Sequence, residues 1–201
     1  TIGFVPEAAR GIAEAAGWRA TADPDEADYY YSRTDLVELP GGHYSRKRNH
    51  IKRFGSAGPW TFGPIDPSAT GECLDFLREW CRVNGCLGNS LLDYETQASM
   101  CCIRNLAALD LVAGALRIDG RIVGLTIGEV LWPGTFVVHY EKALLVRDGV
   151  YSALANEFAR MLPSDIVWID REQDLGIEGL RKSKESWFPR YREPSYVLTP
   201  S

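Results

Sequence analysis

The run Ile169-Asp170-Arg171-Glu172-Gln173-Asp174-Leu175-Gly176 decides how the second half of this 201-residue chain is interpreted. The apolar segment Asp165–Ile169, which leads into it, is typical of a short buried strand. The segment after it, Ile177–Glu185, has helical character. Four ionisable side chains therefore lie between the end of a strand and the start of a helix, where open α/β sheets bind ligands. A charged surface loop without such a function is the alternative interpretation.

Upstream of this run, the periodicity of the chain predicts further strands and a helix. Asp119-Gly120 predicts a hairpin with a type I′ turn. Pro133-Gly134 predicts a turn into a strand over 135–146, and Asp148-Gly149 ends that strand. The next helix has a predicted core face made of Tyr151, Leu154, Ala155, Phe158 and Leu162. A last strand is predicted at Ser195–Thr199.

The N-terminal third is predicted to contain short elements followed by a linker. The predicted elements are strands at Ile2–Val5, Trp18–Thr21 and Tyr29–Tyr31, a helix from Pro6 to Ala16, an acidic turn at Asp23–Asp28 and a short helix at Asp35–Leu39. Gly55–Pro67 is rich in glycine and proline, as linkers are. The sequence therefore predicts a domain boundary here, with residues 1–58 on one side and residues 59–201 on the other.

Two helices follow the predicted linker, and each has apolar residues at helical spacing. The first predicted core stripe is Cys73, Leu74, Leu77, Trp80 and Cys81, and the second is Ala98, Cys101, Cys102, Leu106 and Leu109. Glu95 lies near the start of the second helix, where an acid is favoured by the helix dipole.

Composition excludes several classes of protein. The net charge of −5 argues against a surface built for non-specific nucleic-acid binding, and no apolar run approaches the ~20 residues of a membrane span. The five cysteines form no CxxC pair, and their odd number argues against a disulfide framework. We therefore predict reduced, mostly buried thiols in a cytoplasmic protein. Because the chain begins Thr-Ile-Gly-Phe without an initiator Met, we also expect that its native N-terminus has been removed.

One short segment is basic although the chain is acidic. Its five cations are Arg46, Lys47, Arg48, Lys52 and Arg53, and Tyr44, Ile51 and Phe54 form a narrow apolar stripe beside them. This pattern predicts a basic amphipathic helix that contacts phosphate in RNA or a nucleotide. A solvated helix face that neutralises the preceding acidic segment is the alternative.

The order of elements in residues 59–201 resembles the GNAT acyltransferase fold. The resemblance implies an α/β (α+β) domain with a mixed, mostly antiparallel sheet flanked by helices. In that superfamily a glycine-rich loop before the central helix binds the coenzyme A pyrophosphate. The corresponding stretch here is Arg147-Asp148-Gly149-Val150-Tyr151-Ser152-Ala153, in which only Gly149 matches. Tyr151 would crowd a pyrophosphate and Asp148 would repel it.

Further ordered blocks carry a closer resemblance. They are Asp35–Leu36, Lys47–Ile51, Phe54, His139–Ala143, Gly149–Tyr151, Asn156–Phe158, Arg171–Gly176, Gly179–Lys184 and Pro189. In these blocks the chain resembles the C-terminal domain of the bacterial phosphatidylglycerol lysyltransferases, although Asp170 occupies a position where asparagine is usual. Members of that family have two GNAT-like domains in tandem. The resemblance therefore implies that residues 1–58 are the end of a first domain plus the basic helix, and that residues 59–201 are the second domain.

The resemblance implies an aminoacyltransferase. Such an enzyme takes an aminoacyl group from aminoacyl-tRNA and places it on an amine or hydroxyl of a lipid headgroup or small molecule. Aminoacyl-tRNA is then the donor substrate and no cofactor is expected, with acetyl-coenzyme A as the less favoured donor. An acyl-coenzyme A-dependent N-acyltransferase and a non-catalytic binding module are the two alternatives.

This chemistry needs positioning, an oxyanion stabiliser and proton handling. The catalytic candidates are His139, Glu141 and Glu172, the substrate-binding candidates are Arg171, Asp174, Arg181 and Lys184, and the tRNA-binding candidates are the five cations of the basic segment. The period of two places His139 and Glu141 on one strand face, as a general base and its orienting group or as a structural pair. The spacing of residues predicts no metal site.

Overall fold

The computed structural model describes residues 1–86 and 88–201, which form two compact units. In chain order the elements are β1 (Ile2–Pro6), α1 (Glu7–Ala15), β2 (Trp18–Ser32), α2 (Arg33–Glu38), α3 (Ser45–Ser56), β3 (Thr61–Pro64), α4 (Thr70–Asn84), α5 (Ser90–Arg104), β4 (Val112–Ile118), β5 (Arg121–Trp132), β6 (Thr135–Ala143), α6 (Val150–Met161), β7 (Trp168–Asp170), α7 (Glu178–Glu185) and β8 (Tyr191–Pro200). Unit 1 is Thr1–Ser32 with Trp168–Ser201, and unit 2 is Arg33–Val167. The predicted mixed α/β class with mostly antiparallel strands is confirmed.

Unit 1 brings the two ends of the chain into one sheet. Its strand order is β1-β8-β2-β7, and the pairs are antiparallel. The predicted acidic turn is wrong, because β2 runs on through it with only a shift in register between Asp23 and Asp28. The long strand β8 pairs with both halves of β2, so the ladder continues on either side of the irregularity. A small apolar cluster of Val5, Ala13, Tyr196 and Leu198 packs α1 against the sheet.

Unit 2 contains the strand order β6-β5-β4-β3. The β4–β5 hairpin turns at Asp119 and Gly120, which have φ values of +50° and +79° and so confirm the predicted type I′ turn. The linker prediction is wrong over Thr61–Pro64, because these residues form β3 and pair with β4. The assignment of residues 1–58 to an earlier domain remains a prediction.

Helices cover both faces of the unit 2 sheet, as the alternation of strand side chains requires. On one face, Leu125 and Ile127 join the core under α4 and α5. On the other, Leu116 and Ala143 join the core under α6. Tyr151 at the start of α6 was predicted to be in this core, but its side chain is 37% exposed and its hydroxyl donates to the carbonyl of Ala143.

The predicted core stripe of α5 is rotated from the observed one. The buried residues are Thr96, Ser99, Met100 and Ile103, whereas Cys101 is exposed. Thr96 and Ser99 can be buried because each hydroxyl donates to a backbone carbonyl four residues earlier, at 2.7 Å in both cases. A prediction from the spacing of apolar residues alone therefore misses these two buried hydroxyl side chains.

The cysteines differ from the prediction that all are reduced and mostly buried. Cys81 and Cys86 form a disulfide, with their Cα atoms 5.1 Å apart. Cys73 is a buried free thiol whose pKa burial raises to about 11. Cys101 is exposed and Cys102 is half-buried. In the described part of the chain, no helix combines the length and the hydropathy needed to cross a membrane.

Candidate functional site

Strand β6 contains one extra residue, His139. The adjacent β5 residues Ile127 and Gly128 pair with Tyr140 and Val138, so the pairing register passes over His139. This irregularity is a β-bulge, a feature that interrupts the ladder, re-aims a side chain and is over-represented beside active sites. Its position at this bulge makes His139 the first residue to consider for chemistry.

The carboxylate that holds His139 belongs to Glu129 on β5, whereas the sequence predicted Glu141. Nε2 of His139 lies 3.0 Å from Oε1 of Glu129. Glu141 instead pairs across the ladder with Thr126, on the sheet face opposite to that of Glu129, because alternate residues of β5 face opposite ways. The prediction that His139 and Glu141 share a face is wrong, because the bulge shifts the alternation of β6. A catalytic role for Glu141 remains a prediction.

An ion pair between a buried lysine and a half-buried glutamate follows the bulge on β6. Nζ of Lys142 lies 2.8 Å from Oε1 of Glu95 and 3.9 Å from the centre of the Trp80 ring. Burial lowers the pKa of Lys142, and the charge of Glu95 opposes that shift. These contacts bind α5 and α4 to β6, so the pair stabilises the elements that hold the bulge. The sequence offered Glu95 only as a helix-dipole acid.

In unit 1, Asp174 is the centre of a hydrogen-bond network. Its carboxylate is fully buried and accepts from Nε and Nη2 of Arg181, each at 2.8 Å. It also accepts from the Tyr29 hydroxyl at 2.6 Å and from the Gly176 N–H at 2.9 Å. The bonds from Arg181, followed by those from Tyr29 and Gly176, hold the pKa of Asp174 well below its usual range despite burial. Arg181 also bonds Asp25, so the network ties α7 to the loop before it and to β2.

Lys184 and Arg171 lie in the same unit, and their cationic groups also contact other groups of the protein. The buried Lys184 ammonium donates to the backbone carbonyls of Arg171 and Glu172. The Arg171 guanidinium lies 5.7 Å from each of the ring centres of Tyr31 and Trp187. Four of the predicted residues, Arg171, Asp174, Arg181 and Lys184, thus form contacts that shape the loop. Their role in substrate binding remains a prediction.

Glu172 differs from these four because its backbone is in the left-handed region, at a φ of +55°. For a residue with a Cβ this conformation costs about 1 kcal/mol or more, and such outliers concentrate at functional sites. Glu172 is only half-buried. It is the member of the predicted set in unit 1 that best suits contact with a substrate.

An acidic and aromatic face of the same unit was not predicted from the sequence. Asp28 and Tyr30 lie on this face of β2, and Asp170 pairs across the ladder with Tyr30. Burial raises the pKa of Asp28 to about 7, with Asp170 adding to the shift, and burial raises the pKa of Asp170 to about 6. The Tyr30 ring stacks on Tyr191 with centres 4.6 Å apart, and Trp168 lies edge-on to Tyr191 at 5.4 Å. The alternation Asp28-Tyr29-Tyr30 contained this signal, because residues two apart share a strand face.

The predicted basic helix is α3, and its cations differ in what they contact. The Arg48 guanidinium donates to the carbonyls of Leu39 and Gly41, the second at 2.7 Å, and so fixes the loop before the helix. Arg53 forms an ion pair with Asp148 at 3.0 Å. The contacts of Arg48 therefore stabilise the fold, although the sequence analysis grouped this residue with the phosphate-binding candidates.

The remaining cations of α3 are Arg46, Lys47 and Lys52. Lys47 is half-buried and already engaged by a partner. Arg46 and Lys52 are exposed, and within residues 1–86 and 88–201 their side chains form no hydrogen bond or ion pair. They line a groove of about 520 Å³ whose walls are Ser45, Arg46, Asn49, His50, Lys52 and Arg53. Among the described residues, no group of three or more His, Cys, Asp and Glu side chains is arranged to hold a metal ion.

Comparison with known proteins decides the family. The family described as "Phosphatidylglycerol lysyltransferase, C-terminal" matches residues 2–199. The chain belongs to this family. The resemblance predicted from the ordered sequence blocks is thereby confirmed. No curated protein matches the chain.

Solved structures agree with this family. A conserved protein of unknown function from Bacteroides thetaiotaomicron is 39% identical, with a TM-score of 0.94, over 99% of this chain and 69% of that one. The C-terminal domain of a putative lysylphosphatidylglycerol synthetase from Agrobacterium fabrum is 16% identical, with a TM-score of 0.70, over 99% of this chain and 67% of that one. L-PGS from Bacillus licheniformis is 14% identical, with a TM-score of 0.68, over 98% of this chain and 66% of that one.

The sequence identities determine what these structural similarities show. The two synthetase structures are under 25% identical to this chain, so they show a shared fold. The chain spans about two thirds of the length of each of the three structures. The mixed α/β fold with a mostly antiparallel sheet, which the sequence predicted, is the fold that this chain shares with these structures.

Proposed function

We propose that this protein is an aminoacyltransferase that moves an aminoacyl group from aminoacyl-tRNA to an amine or hydroxyl of a lipid headgroup or small molecule. The family and its GNAT-like fold support an acyltransferase. The single observation that carries the proposal is the His139–Glu129 pair at the bulge of β6. It supplies an oriented imidazole, the group most often used to accept a proton near neutral pH.

In the proposed reaction, His139 acts as the general base. When its Nε2–H donates to Glu129, the lone pair of the imidazole is on Nδ1, which accepts the proton of the attacking amine or hydroxyl. The nucleophile then bonds to the carbonyl carbon of the aminoacyl ester. The bond between that carbon and the ribose oxygen breaks, and the proton passes to the departing ribose hydroxyl. An aminoacyl ester is already activated, so positioning and one proton carrier are sufficient protein chemistry.

Unit 1 offers carboxylates that suit the α-ammonium of the donor. Glu172 and Asp174 are the carboxylates of this unit among the residues that the sequence singled out as catalytic or substrate-binding candidates. Both oxygens of Asp174 already accept hydrogen bonds from the protein. We therefore assign the ammonium to Glu172. Asp28 and Asp170 lie near it, and burial raises the pKa of both aspartates while the charge of Lys184 opposes the shift. The aromatic rings beside them add cation–π attraction.

The acyl-coenzyme A alternative is disfavoured by the start of α6. Gly149, at a φ of +87°, packs so closely on the backbone carbonyl of His50 that a Cβ there would overlap it. Asp148 adds a negative charge beside the same helix terminus. A pyrophosphate would meet a carbonyl and a carboxylate where it needs N–H donors. A non-catalytic binding module and a cytoplasmic location remain predictions.

Donor competition tests the proposed function. The full-length protein is incubated with radiolabelled aminoacyl-tRNA or with radiolabelled acetyl-coenzyme A, and with membrane lipids or a small amine as acceptor. We expect label on the acceptor only from aminoacyl-tRNA. Transfer from acetyl-coenzyme A alone would reverse the choice of donor, and transfer from neither would contradict an acyltransferase.

A further inference from the structure

Two different helices hold the buried ammonium of Lys142. Its Nζ atom lies 3.9 Å from the centre of the Trp80 ring, on α4, and 2.8 Å from Oε1 of Glu95, on α5. Trp80, Glu95 and Lys142 form what is called here the Lys142 cluster. Because the lysine is buried, its charge depends on these two contacts in place of water. A shift of α4 relative to α5 must therefore act on the cluster.

The Cys81–Cys86 disulfide lies beside both helical members of the Lys142 cluster. Cys81 follows Trp80 on α4. Sγ of Cys86 lies 3.6 Å from Oγ1 of Thr96, which follows Glu95 on α5. Cys86 thus contacts α5 while it is bonded to α4. The disulfide connects the two helices at the point where they supply the contacts of the buried lysine.

Reduction of the disulfide changes the partner of Cys86. A disulfide sulfur carries no proton, and the hydroxyl proton of Thr96 is donated to the carbonyl of Leu92 at 2.7 Å. The contact between Cys86 and Thr96 is therefore weak in the oxidised state. Reduction gives Cys86 an S–H group, which can donate to the Thr96 oxygen. A covalent bond to α4 is thereby replaced by a hydrogen bond to α5.

The surroundings of the disulfide allow it to be reduced and re-formed in the folded protein. Cys81 is half-buried, so a reductant can reach its sulfur, whereas Cys86 is 1% exposed. The N–H groups of Gly85 and Cys86 both donate to the Cys81 carbonyl, and these bonds keep the two cysteines close after reduction. Two thiols cannot remain at bonding distance, so the Cys81 side chain must move. Trp80, the preceding residue of the helix, is then less tightly held.

We propose that the Cys81–Cys86 disulfide is a redox switch, and that its reduction by a dithiol loosens the Lys142 cluster. One thiolate of the dithiol attacks Sγ of Cys81, the bond to Cys86 breaks, and the Cys86 thiolate takes up a proton. The second thiolate then attacks the mixed disulfide, which releases Cys81 as a thiol and leaves the reductant as a cyclic disulfide. Lys142 lies three residues after His139 on β6, so a loosened cluster changes how the strand holds the imidazole. That consequence for transfer rests on the proposed function.

Amine labelling of the full-length protein tests the switch. Oxidised protein, and protein reduced with dithiothreitol that is then removed without air, receive a short pulse of acetic anhydride. Peptide mass spectrometry measures the acetylation of each lysine. We expect Lys142 to react about tenfold faster in the reduced protein, because the opened cluster exposes its amine. Lys182, whose side chain is 72% exposed, is the internal control with equal rates in the two states.

Two results of this experiment would overturn the proposal. One is equal acetylation of Lys142 in the oxidised and reduced protein. The other is a peptide map of the oxidised protein without the bond between Cys81 and Cys86. Both results are obtained on the wild-type chain, so they do not depend on whether a variant folds.

Cys81→Ser and Cys101→Ser separate the disulfide from the other thiols. Cys81→Ser cannot form the bond, so Lys142 should react at the fast rate with or without the reductant. Cys101 is a free and exposed cysteine. Cys101→Ser is therefore the matched control and should respond to reduction as wild type does. A rate that still depends on reduction in Cys81→Ser would contradict the proposal.

Thr96→Val tests the hydrogen bond that the reduced state gains. Valine keeps the shape of threonine but lacks its acceptor, so the reduced state becomes less favourable. In mixtures of reduced and oxidised dithiothreitol, half-reduction of the disulfide should need about threefold more of the reduced form. Ser99→Ala is the matched control, because Ser99 is buried on the same helix and donates to the Glu95 carbonyl. An unchanged ratio in Thr96→Val would contradict the exchange of partners by Cys86.

The labelling experiment separates the switch from the proposed function because it contains no aminoacyl-tRNA and measures no transfer. Acetylation of Lys142 that does not depend on reduction would refute the switch alone. Acetylation that depends on reduction, in a protein that transfers no aminoacyl group in either redox state, would refute the proposed function alone.

Discussion

Nε2 of His139 lies 3.0 Å from Oε1 of Glu129, at the position of β6 that the pairing register with β5 skips. The bulge and this contact are parts of one arrangement, since the extra residue turns the imidazole toward the strand that carries Glu129. A regular strand would have placed His139 and Glu141 on the same face. The chain thus gains an oriented imidazole through a local break in its sheet.

Asp174 and Glu172 should respond differently to loss of charge. Asp174→Asn breaks a buried pair with Arg181, so the free energy of unfolding should fall by about 3 kcal/mol. Glu172→Gln should leave the unfolding free energy within about 0.5 kcal/mol and abolish transfer. Urea denaturation and a transfer assay on both variants check this. An Asp174→Asn variant as stable as wild type would contradict a structural role for the network around α7.

Asp28 should make stability fall between about pH 4 and pH 7. Its pKa is raised to about 7 in the folded protein, so over this range the native state binds more protons than the unfolded state does. The unfolding free energy therefore decreases as pH rises through the window and is constant above it. Asp28→Asn should flatten this dependence and stabilise the protein by about 1–2 kcal/mol at pH 8. Thermal unfolding midpoints across pH measure it, and identical pH profiles would show that Asp28 is ionised in the native state without penalty.

Acetyl-coenzyme A should not bind tightly. The start of α6 is covered by the His50 carbonyl and flanked by Asp148, so a pyrophosphate finds neither open N–H groups nor a neutral surface. Titration calorimetry with acetyl-coenzyme A should show no binding in the micromolar range. A micromolar dissociation constant would place the acyl-coenzyme A reaction ahead of aminoacyl transfer.

Much of the fold follows from sequence patterns that act locally. The Asp119-Gly120 turn, the glycine that precedes α6 and the apolar stripe of α4 depend on residues close in the chain, and each was predicted. The predictions failed where residues far apart in the sequence, or hydrogen bonds that the pattern does not show, determine the structure. β2 continues through its acidic segment because β8, far along the chain, pairs with it. The buried face of α5 includes Thr96 and Ser99, whose hydroxyls are satisfied within their own helix.

The sequence identified several charged residues of the candidate site but did not predict how they are arranged. Charged residues of the 170–176 loop were singled out, yet strand alternation separates Asp170, beside Tyr30, from Arg171, which packs on Tyr31 and Trp187. Asp28 was missed because its closeness to Asp170 depends on the pairing of β2 with β7, which the sequence pattern does not reveal. Glu129 was missed for a similar reason, since a bulge cannot be placed without knowing the partner strand.

In the proposed mechanism, His139, held by Glu129, accepts the proton of the acceptor during aminoacyl transfer. Single-turnover transfer from radiolabelled aminoacyl-tRNA by the full-length protein tests this role, with wild type compared with His139→Asn and Glu129→Gln. We expect a rate about 100-fold lower for His139→Asn and about tenfold lower for Glu129→Gln, with donor affinity and thermal midpoint unchanged. Transfer by His139→Asn at the wild-type rate would contradict the mechanism.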